Sequence, residues 1–233
     1  MNMKRIILGL YIITAVAELV SLQLEIDLLH HFTKPLLMVW LLVYFAIESS
    51  NRAHKLFWII VFALIFSWLG DVMLMYQVKD AMYFMLGLGA FLIAHVFYIV
   101  GYRKARNSNI SVEINKPRLA RYDFFLLLIY LTLLIVLKPH LGELLIPVVV
   151  YAFAITYMAI SALHRYGRTS GQSFWMVMIG ALIFMFSDST IAINKFIEPI
   201  NHASLIIMTT YLIAQFLIIE GISKHIKLES NLV

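Results

Sequence analysis

The sequence predicts an all-α membrane protein: a polytopic bundle of eight transmembrane helices with both termini cytoplasmic. Of its 233 residues 62% are apolar and only 13% charged, against roughly 45–50% and 25% in soluble domains. The apolar residues gather into eight runs, near residues 4–23, 34–49, 56–76, 81–101, 122–138, 143–163, 173–193 and 203–223, each a candidate to cross about 30 Å of hydrocarbon. The basic residues alternate between loops. All but four of the 18 lie at the N-terminus, around Arg52, Arg106 and Arg168, or at the C-terminus, and the opposite loops carry only Lys34, Lys79, Lys138 and Lys195. Basic residues accumulate on the cytoplasmic side of a membrane, which places both termini there.

Taken in order, the first run follows Lys4 and Arg5 and contains Ala15-Val16-Ala17 and Glu18. It has the form of a secretory signal, but the internal repeat described below needs it as a helix. The second run opens at Lys34-Pro35, after an outer loop holding His30 and His31; proline favours the first turn of a helix. This run and the fifth are short for a span, which tilt or local thinning of the bilayer can accommodate. The third run carries ALIFSWLGD, Ala63 to Asp71. In the fourth, Gly87, Phe91, His95 and Tyr98 fall at spacings of four, four and three, one helical face. The basic stretch Tyr102 to Tyr122 that follows reads as a topology determinant in contact with anionic lipid, not as a nucleic-acid site. The sixth run opens near Pro147 and presents Tyr151, Ile155, Met158 and Ala162 as a stripe, by itself core packing. The seventh carries ALIFMFSD, Ala181 to Asp188, and the eighth YLIAQFLII, Tyr211 to Ile219.

The seventh run repeats the third, and FLIAHVFYI (Phe91 to Ile99) in the fourth resembles YLIAQFLII in the eighth. The offset is four spans, so the halves would be parallel repeats. The chain is accordingly read as a single transmembrane domain, residues 1–233, with half-repeats 1–101 and 122–223.

The polar residues sort by depth. Asp71 and Asp188 each lie five residues inside the outer end of their span, Glu18 shares that outer third, and Lys34 sits just above. His95 and Gln215, at matching positions of the repeat, fall about 13 Å deeper at 1.5 Å per residue. An aspartate at bilayer depth costs about 2.5–3.5 kcal/mol on insertion scales, so two matched ones require a reason. Burial favours the neutral form of a carboxyl, and a second carboxyl nearby favours it further. The two together offer a proton donor beside a carboxylate, the requirement of general acid–base chemistry. Ser67 and Ser187 are placed to support them. The alternative is that each aspartate hydrogen-bonds a neighbouring helix and holds the bundle together. Lys34 alone would be a snorkelling lysine and His95 alone a satisfied interior donor. With no cysteine in the chain, disulfides, thiolate metal sites and cysteine nucleophiles are excluded. No second histidine sits near His95 on a helix, which gives metal binding there little support, and the His30–His31 pair in the outer loop is a weak metal or headgroup signal.

These residues resemble the YhhN-like membrane proteins, the lysoplasmalogenase family. The similarity rests on Lys34-Pro35-Leu36, Gly70-Asp71, GLGAFLIAHVFY (Gly87 to Tyr98), the Tyr151, Met158 and Ala162 stripe, GALIFMFSDSTIAINKF (Gly180 to Phe196), and the Tyr211, Ala214, Gln215 face. It runs from the second span to the eighth and leaves Glu18 unmatched. The resemblance implies hydrolysis of the vinyl-ether bond of lysoplasmalogens to a fatty aldehyde and a glycerophospho-alcohol, with no metal or organic cofactor. Asp71 and Asp188 would be the catalytic pair. Lys34, His95, Tyr98, Tyr151, Tyr211 and Gln215 would bind substrate, Lys34 and Lys195 meeting its phosphate and Phe91, Phe184 and Met158 its tail. The site would lie nearer the non-cytoplasmic face of a cell (inner) membrane. Two other classes compete. A proton-coupled transporter of lipids or small molecules would also use intramembrane acids, but Pro35 and Pro147 lie near predicted helix starts and Gly87 and Gly89 have no glycine counterpart beside Gln215. A scaffold protein would account for the helices but not for the matched aspartates.

Overall fold

The computed structural model describes residues 3–49, 54–106 and 116–230. They form eight α-helices and, among the described residues, no strand. The helices are α1 (Met3–Gln23), α2 (Asp27–Glu48), α3 (Phe57–Met75), α4 (Ala81–Lys104), α5 (Lys116–Leu141), α6 (Leu145–Leu163), α7 (Gly171–Phe196) and α8 (Ala203–Ser230). Among the described residues seven stretches are long and apolar enough to cross a membrane, where the sequence predicts eight: α5 and α6 count together as the 45-residue stretch Leu119–Leu163. A continuous helix of that length would reach about 68 Å. It is broken by a short 3-10 turn, Gly142–Leu144, where Gly142 adopts φ +50, and α6 packs back along α5 with Tyr130 edge-on to Phe153 at 6.3 Å.

Two helices depart from the sequence expectation. α2 begins at Asp27, so His30, His31, Lys34 and Pro35 lie inside it and not in a preceding loop or at its mouth. The reason is tertiary. His30 and Thr33 hydrogen-bond Glu18 of α1, and those bonds carry the helix through a proline that otherwise marks a start. α5 is likewise longer, spanning 26 residues with Pro139 in its last turn, because its charged N-terminal residues extend the helix beyond the apolar run. Arg52, and residues 107–115 of the basic stretch, lie outside the described residues.

Contacts divide the chain into two compact units, Met1–Gly101 and Tyr102–Leu232. In the first, α1 and α2 form a hairpin turned at Glu25, which takes a positive φ of 54. Lys4 and Glu48 join its open end by an ion pair of 2.8 Å. Phe45 stacks on Phe57, bringing α2 against α3. A Cβ added at Gly70 would fall 2.5 Å from the Phe91 ring, and one at Gly87 would fall 2.8 Å from Leu74, so α3 and α4 meet at a distance only glycine permits.

In the second unit α7 starts at Ser170, whose hydroxyl accepts from the Ser173 amide at 3.2 Å, a favourable N-cap. A Cβ at Gly180 would stand 2.9 Å from the Ala214 carbonyl oxygen and from Ile218. Small residues let membrane helices approach this closely and gain dispersion contact, which fixes α7 on α8. Apolar side chains along the outer faces, Ile13 and Val16 of α1 and Phe124 and Ile135 of α5, are exposed. Such surface would be an interaction patch on a soluble protein; here it lies on helices long and apolar enough to cross a membrane.

Candidate active site

In the second unit the close α7–α8 contact at Gly180 sets the rotation of α7, and Asp188 lies two turns further on. The side chain of Asp188 is partly buried and accepts a short hydrogen bond from the Tyr151 hydroxyl of α6. Both groups open onto a narrow cleft between α5, α6 and α7. Leu133, Leu137, Val148, Ile155, Met185 and Ala192 supply its apolar wall. Two further hydroxyls line it, but Thr156 donates to the Ala152 carbonyl at 2.8 Å and Ser189 to the Met185 carbonyl at 2.7 Å. Their protons are used within their own helices. The reactive groups presented to the cleft are thus the Asp188 carboxyl and the phenols of Tyr151 and Tyr130.

Ser187 does not support Asp188: its hydroxyl donates to the Ile207 carbonyl of α8 at 3.0 Å. The rest of the candidate set in this unit is packed around α8. Gln215 is fully buried and donates to the Tyr211 hydroxyl at 3.3 Å, and Tyr211 meets Phe184 edge-on at 5.4 Å. Lys195 is in the last turn of α7.

In the first unit Asp71 is 4% exposed and lies beside the Gly70–Phe91 contact. The phenol of Tyr11 in α1, also buried, is within electrostatic reach of its carboxyl. His95 and Tyr98 are fully buried on α4, and Lys34 is partly buried two turns into α2. Glu18 meets His30 at 2.8 Å and accepts from Thr33 at 2.5 Å, while the Ser21 hydroxyl, 2.7 Å from the Glu18 carbonyl, lies 3.3 Å from its carboxyl. A carboxylate so supplied holds α1 to α2. Among the described residues no group of three His, Cys, Asp or Glu side chains stands together to hold a metal ion.

Sequence reasoning did not single out Tyr11 or Tyr130. Tyr11 precedes Glu18 by seven residues, two turns on the same helix face, and that spacing was the available signal. For Tyr130 the run of apolar neighbours gives none.

Comparison with known proteins matches residues 29–222 to the YhhN family. A lysoplasmalogenase TMEM86B from Sus scrofa is 32% identical over 169 residues, 72% of this chain and 65% of the relative. A lysoplasmalogenase TMEM86A from Homo sapiens is 29% identical over 188 residues, 79% and 73% of the two chains. The Homo sapiens TMEM86B is 32% identical over 158 residues, 67% and 59%. The chain thus spans a little under two thirds of the length of the two TMEM86B relatives. No solved structure matches it.

Proposed function

The chain belongs to the YhhN family, and from that premise we propose that it is a lysoplasmalogenase-type hydrolase, cleaving the vinyl-ether bond of a single-chain alkenyl phospholipid. The observation that carries this reading is Asp188, held by Tyr151 in a largely apolar cleft of a membrane-embedded unit. A vinyl ether reacts by gaining a proton at its β-carbon, which leaves an oxocarbenium ion. Water adds at the α-carbon, and the hemiacetal collapses to a fatty aldehyde and the glycerophospho-alcohol. One water is consumed and no oxidant, metal or organic cofactor is needed.

The chemistry asks for an acid that can protonate carbon and a negative group that stabilises the cation, the same demand as in glycoside cleavage. We assign the two roles to Asp71 and Asp188. The hydrogen bond that Asp188 accepts from Tyr151 suits it to the role of counter-charge, which leaves that of acid to Asp71. In an apolar wall such a counter-charge acts more strongly than in water. The alkenyl chain would lie along Leu133, Ile155 and Met185. Lys195, about 10 Å further along α7, suits the phosphate, as does Lys34. Tyr211 and Gln215, buried on α8, would shape the wall behind the substrate in the second unit, and His95 and Tyr98, buried on α4, are candidate substrate contacts of the first.

The same reading gives eight crossings, with α5 and α6 as separate spans, two parallel half-repeats, both termini in the cytoplasm, and the carboxyl layer nearer the opposite face of a cell membrane. The function is tested with the full chain purified into liposomes. A 1-alkenyl lysophospholipid should yield free aldehyde, and its 1-alkyl analogue should stay intact. A folded preparation that releases no aldehyde would overturn the assignment.

A further inference from the structure

The end of the second unit remote from Asp188 carries a cluster of guanidinium groups that the proposed reaction does not use. Arg165, in the turn between α6 and α7, is fully buried. It donates to the Ala105 carbonyl at 3.2 Å, to the Ser173 carbonyl at 3.3 Å and to the Ser173 hydroxyl at 2.7 Å. That hydroxyl in turn donates to the Gly221 carbonyl at 2.6 Å. All these acceptors are neutral. Arg106, within electrostatic reach of Arg165, is partly buried and reaches the Ser161 carbonyl at 3.5 Å; its Nε is buried and has no hydrogen-bond partner among the described residues. Against the opposing Tyr157 phenol, the positive charges that act on Arg106 are those of its neighbours Arg168 and Arg103. Burial and these neighbours lower its pKa, and burial brings that of Arg165 down to about 10.

Among the described residues the carboxylates at these helix ends are engaged elsewhere. Asp123 is held by His164 at 2.9 Å, Glu220 by Lys224 at 3.4 Å and Glu229 by His225 at 3.6 Å. Burying like charges without a counter-ion is costly, and planar guanidinium forks match the geometry of phosphate oxygens. Exposed aromatic residues flank the cluster, Tyr122 on α5, Tyr166 in the α6–α7 turn and Trp175 on α7. Amphipathic rings of this kind sit at the level of lipid headgroups.

We propose that Arg103, Arg106 and Arg168, on the floor set by Arg165, form a binding site for an anionic phosphate group at this end of the second unit. The site is separate from the reaction centre. The fifteen residues from Ser173 to Asp188 rise about 22 Å along α7, whereas the vinyl ether and the phosphate of one lysolipid are separated only by the carbons of a glycerol. The phosphate is therefore not that of a substrate held at Asp188. It comes either from an anionic lipid of the leaflet at this end or from a free phosphate ion.

The test uses the full chain in a neutral detergent. Phosphatidylglycerol and phosphatidylcholine of matched tails are titrated while the melting temperature is followed, and a parallel series uses inorganic phosphate against chloride at equal ionic strength. Phosphatidylglycerol should raise the melting temperature saturably and phosphatidylcholine should not. In the double variant Arg103→Gln, Arg168→Gln, whose side chains are exposed and dispensable for packing, half-saturation should need at least roughly tenfold more lipid, as expected for losing hydrogen bonds to a charged group. If inorganic phosphate reproduces the shift in the parent and not in the variant, the site takes the free ion; if phosphate is silent, it takes the lipid. Equal shifts with both lipids, or a variant that responds like the parent, would overturn the proposal.

Discussion

Replacement of Asp188 by asparagine is expected to slow aldehyde release by about a hundred- to a thousandfold, the usual cost of removing one positioned group that stabilises transition-state charge. Asparagine keeps the shape of the side chain and an oxygen that can still accept from Tyr151, and it removes the charge. Helix packing should survive, because the contacts that seat α7 on α8 are made by Gly180 and Ser187 and not by Asp188. Asp71→Asn should cause a loss of similar size for the complementary reason, that the amide cannot deliver a proton to carbon. Both variants are checked by aldehyde release alongside helical content and melting temperature. Full activity in either, with folding intact, would remove that residue from the mechanism.

The second large effect is expected at Tyr151. Its hydroxyl is the donor that meets Asp188 in the cleft, and a hydrogen bond to a charged group is worth about 1.5–3 kcal/mol. Tyr151→Phe should therefore lower kcat by roughly ten- to a hundredfold. If the phenol acts by holding Asp188, KM should change little, since the interaction it supports strengthens toward the transition state. A rise in KM with kcat unchanged would make Tyr151 a plain substrate contact instead.

Much of the helical layout was legible in the sequence because apolar runs of membrane length leave few alternatives to a helix. The ALIFMFSDST stretch around Asp188 announced a carboxyl where lipid-facing residues were expected, and the structure gives that carboxyl an apolar cleft. What could not be read were contacts between helices. Pro35 marks a helix start by local rules, yet α2 begins at Asp27 because Glu18 of α1 supplies acceptors for His30 and Thr33. The Tyr151 stripe has the period of a packed face, and spacing within α6 cannot show that its first hydroxyl meets Asp188 on α7. Ser187 sits next to Asp188 in sequence, but adjacent helical residues point about 100° apart, so its hydroxyl goes to α8. The charged N-terminal turns of α5 read as loop because hydropathy weighs composition and not the helix that continues through it.

The claim that matters most is that the carbon–carbon double bond of the ether is protonated from solvent-exchangeable acid before water attacks. Running the wild-type reaction in deuterium oxide, with the aldehyde trapped as it forms, tests this directly. One deuterium is expected on the carbon next to the aldehyde carbonyl in each product molecule. Aldehyde formed without deuterium at that carbon would contradict it.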